Sequence, residues 1–178
     1  MKIITKLSLL MCMVLITACS STQSLQEYYI DNSENPNFLK LDVPTSVLNL
    51  ADVDLSESER EAMQSLKKLN ILAFKKTNEN NVEYNAEKEV VKRILKNDKF
   101  NELMKFNFGG GNASVQYLGD DDAIDEVVIY GNSEEKGFAL IRVLGDNMKP
   151  QHMMQLIKAI QKSNYKGEGL EQLGSFLK

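Results

Sequence analysis

The chain has 178 residues, 43% of them apolar and 26% charged, with a formal net charge of −4 and a single histidine. That size suits one domain with a self-sufficient core, and the acidic balance excludes a partner met through a broad basic surface, as a nucleic acid is. One histidine and no tryptophan exclude catalysis built on several imidazoles and weaken any sugar-stacking platform.

Met1–Ala18 carries Lys2 and Lys6 ahead of the apolar run Leu7–Ile16, the pattern of a secretory signal peptide rather than of a folded element. The run ends in Leu15-Ile16-Thr17-Ala18-Cys19, which resembles a bacterial lipobox. The resemblance implies diacylglyceryl transfer to the Cys19 thiol, cleavage before Cys19 and acylation of the new amino group, palmitate being a typical chain. Several acyl chains hold a protein to a bilayer where one alone is marginal. Loss of Lys2 and Lys6 takes the formal charge from −4 to −6. Cys12 leaves with the signal and Cys19 is used for the anchor, so no thiol remains for a disulfide, a nucleophile or a zinc site. Ser20 is not the aspartate that retains lipoproteins in an inner membrane, and no acidic run follows Cys19 to direct surface export. The expected place is therefore an outer membrane, facing the periplasm.

The domain boundaries expected are 1–18 for the signal peptide, 19–37 for a lipidated tether and 38–178 for a single domain. The tether, Ser20–Asn37, is polar and ends in the breaker Asn35-Pro36-Asn37; Tyr28 and Tyr29 within it are expected to pack on the domain. Phe38–Ala51 is apolar, with Pro44 placed to open a short helix over 44–51. Ser56-x-x-Glu59 has the spacing of a capping box, and Ala62, Met63, Leu66 and Leu69 form a helical stripe behind it. Asn70–Phe74 reads as a first strand. Asn85 is the expected cap of a helix carrying Val90, Val91, Ile94 and Leu95, with Glu89 and Arg93 paired across one turn.

Residues 103–145 then read as a meander. Leu103–Phe108 alternates as a strand does, and Gly109–Asn112 turns into Val115–Leu118. Val127–Tyr130 and Phe138–Leu144 follow, joined by the polar loop Gly131–Gly137. Both faces of Phe138–Leu144 are mostly apolar, which marks a central strand. Pro150 opens a last helix with the stripe Met153, Met154, Ile157 and Ile160; Met148 and these methionines read as core filler. Leu170, Leu173 and Leu177 share one helical face of the tail and are expected to dock on the domain. Strands clustered after helices and joined by hairpin turns predict an α+β fold, an antiparallel sheet of roughly four to five strands covered by helices.

Candidate chemistry is sparse. Gly119–Glu126 holds four aspartates and a glutamate, but not at the spacing of a calcium loop, and it reads as a solvated turn. Gly109-Gly110-Gly111 lacks the Gly-Lys-Ser/Thr that a phosphate loop requires. His152 stands in no nucleophile or metalloprotease motif. No catalytic residue, metal ligand or cofactor is therefore assigned, and the one modification site expected is lipidation at Cys19.

Phe100-Asn101-Glu102-Leu103-Met104, Val115-Gln116-Tyr117, Ile124-x-Glu126-Val127-Val128 and Phe138–Gly145 resemble a family of small bacterial lipoproteins catalogued as domain of unknown function 4252. The strand at Ile71–Phe74 and the helix stripe ending in Leu156 fit as well. The resemblance implies an anchored envelope protein and carries over no catalytic motif; family members are sometimes encoded near sigma-factor genes, which points toward envelope signalling. The function expected is a lipid-anchored, non-enzymatic binding or protein-interaction module. Its partners are the membrane, through the lipid on Cys19, and an envelope protein; no nucleic acid is expected. The alternatives are a hydrolase acting on envelope polymers through paired carboxylates, or an envelope-stress signalling component.

Overall fold

The computed structural model describes residues 23–44, 54–108, 110–120, 122–151 and 155. The signal peptide, Cys19, His152 and the tail stripe at Leu170, Leu173 and Leu177 lie outside the described residues, as does most of the predicted helix at 44–51. In chain order the elements are α1 (Leu25–Asp31), β1 (Phe38–Pro44), α2 (Glu57–Gln64), β2 (Leu66–Lys75), α3 (Asn81–Leu95), β3 (Asn101–Phe108), β4 (Gly111–Asp120), β5 (Ala123–Ser133) and β6 (Gly137–Met148). Helical backbone resumes at Pro150 and Gln151.

The fold is α+β, as expected, but the open antiparallel sheet has six strands rather than four to five, in the order β1-β2-β6-β5-β4-β3. The meander is β3 to β6, and β2 and β1 extend it past β6. β1 is the strand missing from the expectation. Its residues alternate with period two: Phe38, Lys40 and Asp42 share one face, and Leu39, Leu41 and Val43 the other. Pro44 is the last residue of this strand. Proline is tolerated here because β1 is an edge strand.

A second correction concerns Leu66 and Leu69, expected on the helix that follows Ser56. The capping box is present as predicted, Ser56 accepting from the Glu59 amide and Glu59 from the Ser56 amide. However, the helix ends at Gln64, and both leucines belong to β2. A bulge between Leu66 and Lys68 shifts the register, so Leu66 packs with Val143 and Val127 on the face that Leu69 also occupies. A bulged strand thus reproduces the three-residue spacing of a helix. The third helix starts earlier than Asn85, with Asn80 at its cap, and Glu89 pairs with Lys92 at 2.8 Å rather than with Arg93.

The tether expectation also ends too late. Ser24 caps α1 in a second capping box, and Leu25, Tyr28 and Tyr29 are buried. The Tyr28 hydroxyl donates to Glu87 at 2.7 Å, joining α1 to α3. The Tyr29 hydroxyl donates to Asp42 at 2.9 Å, joining α1 to the edge strand. Residues 24–37 therefore fold with the domain.

Both α1 and α3 pack on what we call the front face of the sheet, where register sets the composition. One row of directly opposed residues runs Phe38, Phe74, Phe138, Asn132, Asn112, Asn107 from β1 to β3. The next runs Lys40, Leu72, Leu140, Tyr130, Ser114, Lys105, and a third Asp42, Asn70, Arg142, Val128, Gln116, Glu102. The front face is thus aromatic and aliphatic at its centre and polar toward β3. Phe74 stacks on Phe138 at 5.5 Å between centroids, and Phe38 meets both edge-on. The back face is apolar throughout its two middle rows, Leu39-Ala73-Ala139-Gly131-Ala113-Phe106 and Leu41-Ile71-Ile141-Ile129-Val115-Met104.

Arg142 is the one buried cation of the front face. Its Nε and Nη2 donate to both Glu126 oxygens at 2.6 and 2.9 Å, and its Nη1 donates to Gln26 of α1 at 2.6 Å. This bidentate pair leaves few donors of the guanidinium without a partner. The β5–β6 turn needs Gly137, whose φ is +118° and where a Cβ would collide with the Phe74 carbonyl.

Two stability predictions follow from this packing. Phe138→Ala empties the centre of the aromatic row and lowers unfolding free energy by about 3–5 kcal/mol in a urea titration. Arg142→Ala leaves the Glu126 carboxylate nearly buried and unpaired, and costs a comparable amount, about 3–5 kcal/mol. Replacing both Arg142 and Glu126 with apolar residues recovers part of that loss.

Candidate functional site

α3 crosses the front face over its apolar centre and stops short of β3. The uncovered polar end of the sheet becomes the floor of a cleft of about 620 Å³ between α3 and β3–β5. The floor carries Asn107, Asn112, Ser114, Gln116, Tyr130 and Asn132, side chains that alternation places on the front face. The wall is the last two turns of α3. Lys88, Lys92 and Lys96 stand there at four-residue spacing, which puts them on one side of the helix. Lys105 approaches from β3.

The charges are unevenly compensated. Lys88 pairs with Glu134 at 2.7 Å, Lys92 with the outward-facing Glu89 at 2.8 Å, and Lys105 with Glu102 of its own strand. Glu134 is the sole acid among the lining residues, against four lysines. An acidic protein therefore contains a positively charged cleft. The lysines beside Glu134 and Glu89 hold both carboxyls below the ordinary glutamate range, with the hydrogen bonds to Lys88 and Lys92 the largest causes.

Among the described residues, two polar atoms in the floor have no hydrogen-bond partner of ordinary geometry: the Tyr130 hydroxyl and Gln116 Oε1. Tyr130 is 6% exposed; its hydroxyl oxygen feels the Asn132 amide as a donor, but no contact of ordinary hydrogen-bond geometry joins them and its own proton has no acceptor among the described residues. The orientation of Gln116 follows from its amide nitrogen, which donates to the Leu95 carbonyl at the end of α3 at 3.2 Å. Oε1 is left as an unused acceptor. Buried polar atoms are nearly always paired, because an unmade bond costs more than a made one contributes. Their occurrence together in a lysine-lined cleft marks it as the candidate site.

A second cavity, of about 240 Å³, opens between Gln23, Ser24 and Gln26 at the start of α1 and Lys99 and Phe100 before β3. Its charged groups are Lys99 and the Arg142–Glu126 pair, which is already bonded. The acidic turn does not converge: Asp120, Asp122 and Asp125 are exposed, and Glu126 is bound to Arg142. Among the described residues no group of three histidine, cysteine, aspartate or glutamate side chains could hold a metal ion. Gly110, with φ +86°, lies in a tight β3–β4 hairpin, as expected for that glycine run. No described helix is long and apolar enough to cross a membrane.

None of the cleft residues was named as a candidate site residue by sequence reasoning. Two signals were present: the Lys88, Lys92, Lys96 spacing, and the alternation of Asn112, Ser114 and Gln116 with Ala113, Val115 and Tyr117. Neither shows that helix and strand would face each other.

A family model described as a domain of unknown function (DUF4252) matches residues 28–156. The chain belongs to this family. The matched span holds most of α1, all six strands and every residue of the cleft. No curated protein and no solved structure matches the chain.

Four tyrosines couple this architecture to pH. Burial, the largest cause in each case, raises the hydroxyls of Tyr28, Tyr29 and Tyr130 well above the ordinary tyrosine value and that of Tyr84 to about 12. The neutral form is favoured in the folded chain, so stability is fully present below the unfolded value near 10. It is lost as pH rises through the folded values, starting for Tyr84 between 10 and about 12. A phenolate absorbance titration is expected to show these hydroxyls ionising together with loss of structure, and not before it.

Proposed function

We propose that this chain is a lipid-anchored cell-envelope protein that acts as a non-enzymatic binding module, with the α3–β4 cleft as its binding site. The observation that carries the binding part is the pair of unpartnered polar atoms, Tyr130 Oη and Gln116 Oε1, in a floor ringed by lysines. A protein gains no stability from leaving such atoms unpaired, whereas a ligand that pairs them gains affinity. The anchor rests on the lipobox that ends at Cys19 and on the signal peptide before it. Outer-membrane sorting with the domain facing the periplasm rests on Ser20 and the absence of an acidic run after the cysteine.

The hydrolase alternative has weaker support. Paired-carboxylate hydrolysis needs two acids about 5–10 Å apart across a substrate. Glu134 is the one carboxylate lining the larger cavity, and Glu126, bonded to Arg142, the one lining the smaller. An envelope-stress role in which the cleft contacts another envelope protein is compatible with the same site, and no described feature favours it over a small ligand.

The anchor is tested by metabolic labelling with radioactive palmitate and by membrane fractionation. The full chain is expected to label and to sediment with membranes, and Cys19→Ala to do neither. A Cys19→Ala protein that still labels would remove the anchor from this reading.

A further inference from the structure

The chemistry of the cleft restricts what it can hold. Its cations are all lysines. Arginine offers a planar fork that matches a planar carboxylate, whereas lysine ammonium groups are point charges on flexible stems. Several point charges set around a bowl suit a tetrahedral anion with oxygens in several directions. Among the described residues Lys96 makes no ion pair, and Lys92 and Lys105 are held by exposed acids that lie outside the cleft lining. Exposed pairs of that kind contribute little and are readily exchanged for a better-placed anion.

The unpaired atoms add a second requirement. The Tyr130 hydroxyl can donate, and an anionic oxygen is its best acceptor. Gln116 Oε1 can only accept, since its amide nitrogen is committed to the Leu95 carbonyl. An inorganic anion without protons serves the lysines and Tyr130 but leaves Gln116 unpaired. A ligand that satisfies both carries an anion and a hydroxyl a few bonds apart. The amides of Asn107, Asn112 and Asn132 continue along the floor; Asn132 donates to Asn112 at 3.3 Å, and the capacity left on these amides can serve further hydroxyls. The second cavity offers no such combination, because Arg142 is consumed by Glu126 and Gln26.

We propose that the α3–β4 cleft binds a phosphate-bearing polyol, with Lys92, Lys96 and Lys105 around the phosphate and Gln116 accepting from a hydroxyl. The assignment rests on the reading of the cleft as a binding site. Its chemistry is shared by free sugar phosphates and by phospholipid headgroups that carry glycerol, so both sources belong in the test.

The experiment is calorimetric titration of the full chain in detergent with glucose 6-phosphate, glycerol 3-phosphate, glucose and inorganic phosphate, and flotation with phosphatidylglycerol or phosphatidylcholine vesicles. A phosphorylated polyol, or phosphatidylglycerol in vesicles, is expected to bind at least tenfold more tightly than glucose or phosphatidylcholine. Binding should weaken as salt rises. The double variant Lys92→Gln/Lys96→Gln loses it by at least tenfold. Tyr130→Phe weakens it by about ten- to hundredfold, the worth of one hydrogen bond to a charged group, while leaving thermal stability unchanged or raised. A merely structural tyrosine would not separate those two readouts. Equal binding of glucose and glucose 6-phosphate, still sensitive to Tyr130→Phe, keeps the binding site and overturns the anion. Inorganic phosphate, whose own P–OH can donate to Gln116, binding as tightly as the phosphorylated polyols overturns the polyol. No binding by any probe at millimolar concentration overturns both the ligand class and the cleft as a site.

Discussion

Register across the sheet is the constraint on which everything else depends. Directly opposed residues in an antiparallel sheet share a face, and a slip of one position sends every side chain of a strand to the other side. The front-face row that begins with three phenylalanines in mutual contact ends with three asparagines. One geometric rule therefore produces both the core and the cleft. Were β4 displaced by one residue, Ala113, Val115 and Tyr117 would form the floor, and the lysines of α3 would look onto an apolar surface. The aromatic half helps to pin the polar half, since Phe138 is opposed at once to Phe74 and to Asn132.

The helices act on this sheet in different ways. α3 buries Tyr84, Val91, Ile94 and Leu95 on one side and presents its lysines on another, so one helix supplies both cohesion and charge. α1 is short, at seven residues, and would not hold its shape alone. It is kept in place by its capping box, by Tyr28 and Tyr29, and by the Gln26 contact to Arg142. That contact joins the first helix to the central strand pair, where Arg142 and Glu126 already lock β6 to β5.

Much of this architecture was legible in the sequence and some was not, for reasons that can be named. Strong period-two alternation with glycine turns identified the four strands of the meander, and Ser56-x-x-Glu59 marked a helix start correctly. β1 has the same alternation, but Pro44 has two meanings, the first turn of a helix or the end of an edge strand, and only a neighbouring strand decides between them. Leu66 and Leu69 were misplaced because a bulge imitates helical spacing. α1 was read as tether because its residues are largely polar; its two buried tyrosines matter through contacts 13 and 59 positions away in the chain, and Gln26 through one 116 positions away. The cleft was invisible because it is a relation between two elements. Its lysines and its polar strand residues each have an ordinary solvated reading until the helix is seen to end above the strands.

Under the anchoring proposed at Cys19, the capping of α1 at Ser24 has a mechanical consequence. Only five peptide units separate the two residues, and a fully extended chain covers at most about 3.5 Å per residue, or roughly 17 Å in all. That leash is shorter than the polar zone plus one layer of protein. The domain would ride against the bilayer surface with its amino-terminal helix innermost, sampling a shallow layer of headgroups rather than the width of the compartment. Anything it captures would have to come to that surface or already reside there.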